Sequence, residues 1–363
     1  MNHHIKKISK ANLIALLTLA SINLLAADFD TASGKLSVSG TTGHDKIELG
    51  VEPSGTIEII VNGSLRSSNP ASFRFDPALR GATSNSVRSI LVQSGDGSDR
   101  LEVRPGFTAA SKITLDGGAG HDVLICSSPN ETLIGGDGAD FFIFRGLDLG
   151  KVTLTDNDKE NNVLSFEEYE GAATVNLGST AEQTVNPDHL TLTLTNARCI
   201  QELRGSVNSD TLIGNARDNV IMGNYGNDTL VGGDGNDMLS GDEGDDTLVG
   251  DAGENWLEGG TGYDSIALGN GEENYRLAGF WMDRESIILI ANDAGKSRKS
   301  ISSAYAMVMV NGNTHDCKWA TSGELEEARR SLGTLTSALT TAPNAGKAAA
   351  KVGGRKTQQV SKL

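Results

Sequence analysis

Basic residues are scarce in this chain. Its 31 Lys and Arg stand against 47 Asp and Glu, a formal net charge of −16. Nucleic-acid binding draws affinity from basic surface set against phosphate, so that class of partner is excluded. Aromatic residues make up only 5%, so small aliphatics must fill the interior. The three cysteines, Cys126, Cys199 and Cys317, form no C-x-x-C and no Cys/His spacing, which argues against structural zinc. An exported chain could join two of them and leave one thiol over, and nothing favours a particular pair. Long apolar runs are also missing. The stretch 13–25 is too short to span a bilayer, and no other run is long enough for a transmembrane helix. It follows Lys6, Lys7 and Lys10 and precedes Ala26 and Ala27. A basic start, a short apolar run and a small-residue cleavage site predict a secretory signal over 1–27.

Catalytic signatures are absent as well. There is no H-E-x-x-H, no G-x-S-x-G and no G-x-x-x-x-G-K-[ST]. His3 and His4 belong to the signal, and His189 and His315 stand alone. His44 and His121 are each followed by an acid, Asp45 and Asp122, and are expected to face solvent. No enzymatic activity is expected.

Periodicity is what the chain has. Residues 205–267 divide without remainder into seven nonapeptides: GSVNSDTLI, GNARDNVIM, GNYGNDTLV, GGDGNDMLS, GDEGDDTLV, GDAGENWLE and GGTGYDSIA. Position eight is always aliphatic: Leu212, Ile221, Leu230, Leu239, Leu248, Leu257 and Ile266. A three-residue strand that buries its middle side chain needs this, because side chains alternate faces. Position six is Asp210, Asn219, Asp228, Asp237, Asp246, Asn255 and Asp264. Glycine and small polar residues between them permit tight turns that aim carbonyls inward. The stretch holds thirteen acids and one basic residue, Arg217. Carboxylates stacked at strand spacing, ~5 Å, repel unless a cation lies between them. A solvated acidic linker would not keep the aliphatic at every eighth position.

The array resembles the hemolysin-type (RTX) calcium-binding repeat family, whose pattern is G-G-x-G-x-D-x-U-x, U being aliphatic. The resemblance implies an all-β fold: parallel β-roll or β-helix arrays joined by β segments, here with one short C-terminal helix. It implies several Ca2+ ions, since calcium takes six to eight oxygens from carboxylates and carbonyls. The implied ligands are Asp122, Asp140, Asp210, Asp228, Asp234, Asp237, Asp246 and Asp264, with Gly232, Gly241 and Gly259. Two nonapeptides make one turn of such a roll, so alternate repeats share an edge. One edge then carries Asp210, Asp228, Asp246 and Asp264, and the other Asn219, Asp237 and Asn255. Ligand charge tunes affinity, which predicts a tighter all-Asp edge and a weaker mixed one. The first two repeats lack glycine at position four, where Asn208 and Arg217 stand, and read as a worn entry.

The rest of the chain is assigned around this array. Residues 28–116 read as β-rich, with period-two apolar runs at Leu36/Val38, Ile47/Leu49 and Ile57/Ile59. Isolated units at 40–48 and 94–102 are expected to decorate strand ends, with Asp45 and Asp99 in the acid position. Residues 117–143 form a shorter array, with Asp122 and Asp140 one turn apart. Residues 144–204 interrupt the repeats with strand-like segments. Within them Asp156, Asp158, Glu160 and Glu167 take the spacing of an EF-hand loop but lack flanking helices. Residues 268–320 read as a β cap, which a solenoid end requires. A capping box at Thr321 and Glu324 starts a helix over 321–343, and 344–363 is a basic tail.

These readings point to an exported, calcium-dependent structural or surface-interaction protein whose repeats fold on binding metal. Its further partners would be a cell-surface or extracellular glycan or protein, with the aromatic segment 275–281 as one candidate contact. The alternative is a secreted polymer-active enzyme, a lyase, epimerase or hydrolase, carrying the same repeats.

Overall fold

The structure, a computed structural model, describes residues 26–53, 57–61, 71–75, 87–107, 112–157, 159–253, 255–262, 264–268, 276–277, 286–290, 306–309 and 318–319. Residues 1–25 of the expected signal over 1–27, the expected helix over 321–343, the basic tail, Asp158 and Cys317 lie outside these residues, as does most of the aromatic segment 275–281. Every element among the described residues is a strand.

The strands form one long 12-stranded sheet and two 8-stranded sheets, all three built mainly from parallel neighbours. The nonapeptides explain this directly. Repeats one, three, five and seven supply Thr211–Ile213, Thr229–Val231, Thr247–Val249 and Ser265–Leu268 to one short sheet. Repeats two, four and six supply Val220–Met222, Met238–Glu243 and Trp256–Thr261 to the long sheet. Position eight pairs with position eight: Leu212 with Leu230, Leu230 with Leu248, and Ile221 with Leu239. Leu212, Ile221, Leu230, Leu239, Leu248 and Leu257 are all completely buried in one core.

The same long sheet continues back through Ile200–Arg204, Asn162–Tyr169, Phe141–Gly146, Val123–Cys126, Arg100–Val103 and Lys46–Val51, each parallel to the next. Residues 144–204 therefore do not interrupt the roll; they carry it across. Position eight is kept by other means, with Leu164 and Leu203 buried in the same file as Phe142 and Ile221. The units at 40–48 and 94–102 likewise do not decorate strand ends. Ile47 pairs with Leu101, and Leu101 with Leu124, so they are ordinary turns of the roll. Their motifs looked isolated because loops of unequal length separate them.

What changes along the roll is the facing sheet. The first short sheet ends at Leu190–Leu194, edged by the antiparallel strand Gln183–Asn186. The second begins at Thr174–Asn176, paired to Thr211–Ile213. Antiparallel strands also lie at both ends: Ala26–Asp30 and Ile57–Val61 near the start, Ala306–Met309 and Lys318–Trp319 near the end. The offered cleavage residues Ala26 and Ala27 open the first of these strands. Cys126 and Cys199 are both buried, and no disulfide joins them.

A position-eight residue fills a slot with no room to relax sideways, because its neighbours above and below are the same residue type in register. Leu239→Ala is expected to cost about 2–5 kcal/mol in calcium, read as a lowered midpoint in urea.

Candidate metal centre

The sites form along the two edges of the roll, where each turn enters its strand. In the main array the position-six acids each use one oxygen to hold the turn before it. Along one edge the N–H groups of Asp210, Asp228 and Asp246 donate to Oδ1 of Asp228, Asp246 and Asp264, at 2.7, 2.8 and 3.0 Å. Along the other, Asn219 donates to Asp237 and Asp237 to Asn255, each at 2.8 Å. The alternation of repeats between two edges thus has the predicted membership. The second edge extends through the whole roll: Asp45 donates to Asp99, Asp99 to Asp122, Asp122 to Asp140 and Asp140 to Asn162. Position five runs a parallel ladder. His44 Nδ1 accepts the N–H of Ser98 at 2.8 Å, and His121 Nδ1 that of Ala139 at 2.9 Å. Both rings are exposed, as expected, yet they bind the next turn.

The second carboxylate oxygen decides what each turn can do. Oδ2 of Asp99, Asp122, Asp140, Asp228, Asp237 and Asp246 is buried and has no protein partner. Each also lies against the position-one residue of its own repeat. A Cβ on Gly232 would strike Asp237 Oδ2 and, at 2.7 Å, the carbonyl oxygen of Gly250 in the next turn. Gly223 stands in the same relation to Asp228 and the Gly241 carbonyl, Gly241 to Asp246 and the Gly259 carbonyl, and Gly117 to Asp122 and the Gly135 carbonyl. At these glycines a carboxylate oxygen and a carbonyl oxygen converge; in the Asp99 turn Ser94 takes position one and donates its hydroxyl to the Gly117 carbonyl at 2.6 Å. Two electronegative oxygens with no donor between them require a proton or a cation.

Position two sets this state. In the open turns it has a left-handed backbone, supplied by Gly95, Gly118, Gly136, Gly233 and Gly260, or by Asn224, Asp242 and Asp251 with φ of 64–73°. Asn and Asp are the residues that tolerate this region without glycine's freedom. Three turns have Thr41, Ser206 and Asn215 at position two instead, none of them left-handed. There the position-two N–H turns onto the acid slot. Thr41 donates to Asp45 Oδ2 at 2.7 Å, Ser206 to Asp210 Oδ2, and Asn215 to Asn219 Oδ1 at 2.8 Å. The other oxygen of Asp210 accepts from the N–H of Ala173 at 2.6 Å. Asp210, one of the expected ligands, is therefore served by protein donors at both oxygens. The worn entry of the array is real, and position two shows its cause more directly than the missing glycine at position four.

Asp122, Asp140, Asp228, Asp237, Asp246 and Asp264 keep the expected placement, all buried. Asp234 instead stands exposed on the rim, where Asp234 bridges Ala252, and reaches Asp237 only through its charge. Between the two carboxylate-rich ends, amides replace acids. Asn162 Nδ2 donates to the Cys199 carbonyl at 2.9 Å, Gln201 Nε2 to Arg198 at 2.9 Å, and Asn219 Nδ2 to Gln201 at 3.2 Å. These side chains bring their own N–H to inward carbonyls. The EF-hand spacing does not become a site. Its flanks are the strands Gly150–Thr155 and Asn162–Tyr169, and Glu167 turns away to pair with Arg204 at 3.4 Å.

Among the described residues no three His, Cys, Asp or Glu side chains converge on a point. A metal between these turns must then take much of its coordination from carbonyl oxygen. That donor set suits a hard cation such as calcium and does not suit zinc. A parallel β-roll with bare carboxylate oxygens at its turns defines the class of protein. Residues 130–143, 204–239 and 240–272 match the RTX calcium-binding nonapeptide repeat, in four copies, and the chain carries repeats of that calcium-binding family. Among curated proteins none matches the chain.

Burial and the like charge of neighbouring acids push Asp228 up to about 8 and Asp122, Asp237 and Asp246 to about 7. Burial alone raises Asp140 and Asp210 to about 6. Folded-state values above the unfolded one mean that the metal-free fold holds more protons than the unfolded chain. Its stability is then greatest below about pH 4 and is lost as pH rises to about 8. Thermal midpoints in chelator should fall across that window. Calcium affinity should rise across it, with proton release visible in calorimetry, because the ligands must ionise.

A second expectation separates the turns. In a calorimetric calcium titration of the full chain, Asp246→Asn removes or weakens a site at least tenfold, whereas Asp210→Asn leaves the number of sites unchanged. Equal losses in both variants would contradict the role given to position two.

Proposed function

We propose that this is an exported, calcium-dependent structural or surface-interaction protein whose roll is completed by calcium. The observation that carries the reading is the set of buried Oδ2 atoms at Asp122, Asp228, Asp237 and Asp246 with no protein donor. Without metal, these oxygens face carbonyls with no donor between them, and the open turns repel. With millimolar extracellular calcium, binding energy becomes folding energy. The basic and apolar segment before Ala26 supports export, and export delivers the chain to where calcium is abundant.

The reading assigns no reaction to the chain. The carboxylates with raised pKa are members of the edge ladders, apart from Asp156 and Asp251, which lie beside them, and Glu131. Glu131 is sealed inside the roll, where its Oε1 accepts the N–H of Ser128 at 2.6 Å. A substrate has no access to it.

Circular dichroism of the full chain tests the proposal. Chelator should remove a large part of the β signal, and added calcium should restore it. A spectrum indifferent to calcium would rule the reading out.

A further inference from the structure

The gap beside Gly135 closes differently from six others along the roll. At Gly117, Gly205, Gly214, Gly223, Gly232 and Gly241, the space beside the position-one glycine is bounded by the position-six side chain and the carbonyl of the next turn's position one. At Gly135 the two nearest atoms are both carboxylate oxygens. A Cβ there would strike Asp140 Oδ2 from its own repeat and Asp156 Oδ2 from the following turn. Asp156 follows the strand Gly150–Thr155 and precedes Asn162, the position-six counterpart of its turn. It therefore stands where the closing carbonyl belongs, and it brings a full negative charge in place of a dipole. It lies outside the repeats that match the RTX family.

The pair is enclosed. Asp140 is 1% exposed and Asp156 8%. Both Oδ2 atoms are buried with no donor, although the other oxygens are engaged: Asn157 N–H donates to Asp156 Oδ1 at 2.6 Å. Asn157 also donates through Nδ2 to the Gly136 carbonyl, which fixes the loop that presents Asp156. Two carboxylate oxygens held against one glycine must share either a proton or a cation.

We propose that Asp140 and Asp156 hold a calcium ion at the end of the 117–143 array, with the side chain of Asp156 taking the part that a glycine carbonyl plays elsewhere. This rests on the reading that the open turns bind calcium. The site carries two carboxylates across a single gap, and added ligand charge tightens a calcium site. It joins the carboxylate-bearing turns to the amide-bearing ones, since Asn162, the next member of the ladder, is neutral.

The test uses the full chain and Asp156→Asn, which keeps the shape of the side chain. Calcium bound per chain is counted by equilibrium dialysis, and thermal midpoints are read in calcium and in chelator. The variant should bind one ion fewer. Its midpoint should fall in calcium and stay level or rise in chelator, because a repelling buried charge is gone. An unchanged count, as a shared proton would give, overturns the proposal. So does an equal fall of both midpoints, which marks a purely structural residue. Wild-type protein that binds no calcium would instead overturn the broader reading. If Asp156→Asn does not fold, anomalous diffraction from wild-type crystals grown with calcium decides. A peak between Asp140 and Asp156 supports the site, and its absence refutes it.

Discussion

The roll depends on the orientation of one peptide group per turn, the N–H of position two. When that residue is left-handed, the N–H points away and a buried carboxylate oxygen is left bare. When it is not, the N–H satisfies the acid from within the chain. Burying a charged oxygen without a donor is costly enough that the group protonates or finds a counter-ion. Each open turn thus stores an unmet electrostatic demand, and the left-handed Asn224, Asp242 and Asp251 show that side chains other than glycine are held in that state. Thr41, Ser206 and Asn215 give the opposite outcome with the same overall turn shape. The dihedral of position two settles one oxygen of the acid: Asp210 has its second oxygen met by Ala173, whereas Asp45 keeps a buried Oδ1 without a partner.

That local choice is tied to the fold through the eighteen-residue spacing of each edge. One oxygen of each acid accepts the N–H of the preceding turn, as in Asp228 to Asp246, so the acids also fix the register of the strands they introduce. Register is strongly specified because a slip of one residue would turn Leu230 and Leu239 out of the core. The aliphatic file and the carboxylate file therefore support each other. The first buries apolar surface between the sheets, and the second pins the edges only when its charge is neutralised.

Much of this was legible in the sequence. The nine-residue period, the aliphatic eighth position and the acid at the sixth determine two sheets, two edges and the membership of each edge. The open state of Asp228 was not legible from residue type at position two, since Asn224 is left-handed and Asn215 is not. The satisfied state of Asp210 was not legible from its acid, and the signal that could have found it was Ser206. Residues 144–204 were misread as an insert. Their turns keep the inward aliphatics Leu164 and Leu203 but replace the motif with loops of unequal length, and a fixed-period search cannot follow them. Asp156 was noticed only through a helix-loop-helix spacing that its flanking strands exclude. Its true neighbour, Asp140, is sixteen residues back and is reached by stacking, which no local pattern encodes.

The amide segment gives the roll an asymmetric logic. Along the long-sheet edge the ladder passes from Asp45, Asp99, Asp122 and Asp140 to Asn162, Gln201 and Asn219, and then to Asp237 and Asn255. A stack in which each turn contacts only its neighbours has a stability close to the sum of turn and interface terms. Turns that satisfy their own carbonyls, as Asn162 and Asn219 do, contribute in the absence of metal. Turns with bare carboxylates contribute when a metal or a proton neutralises them. The neutral turns sit between the two charged stretches, so they present a formed strand edge to each, and a metal-dependent turn that docks there spends no free energy on starting a sheet.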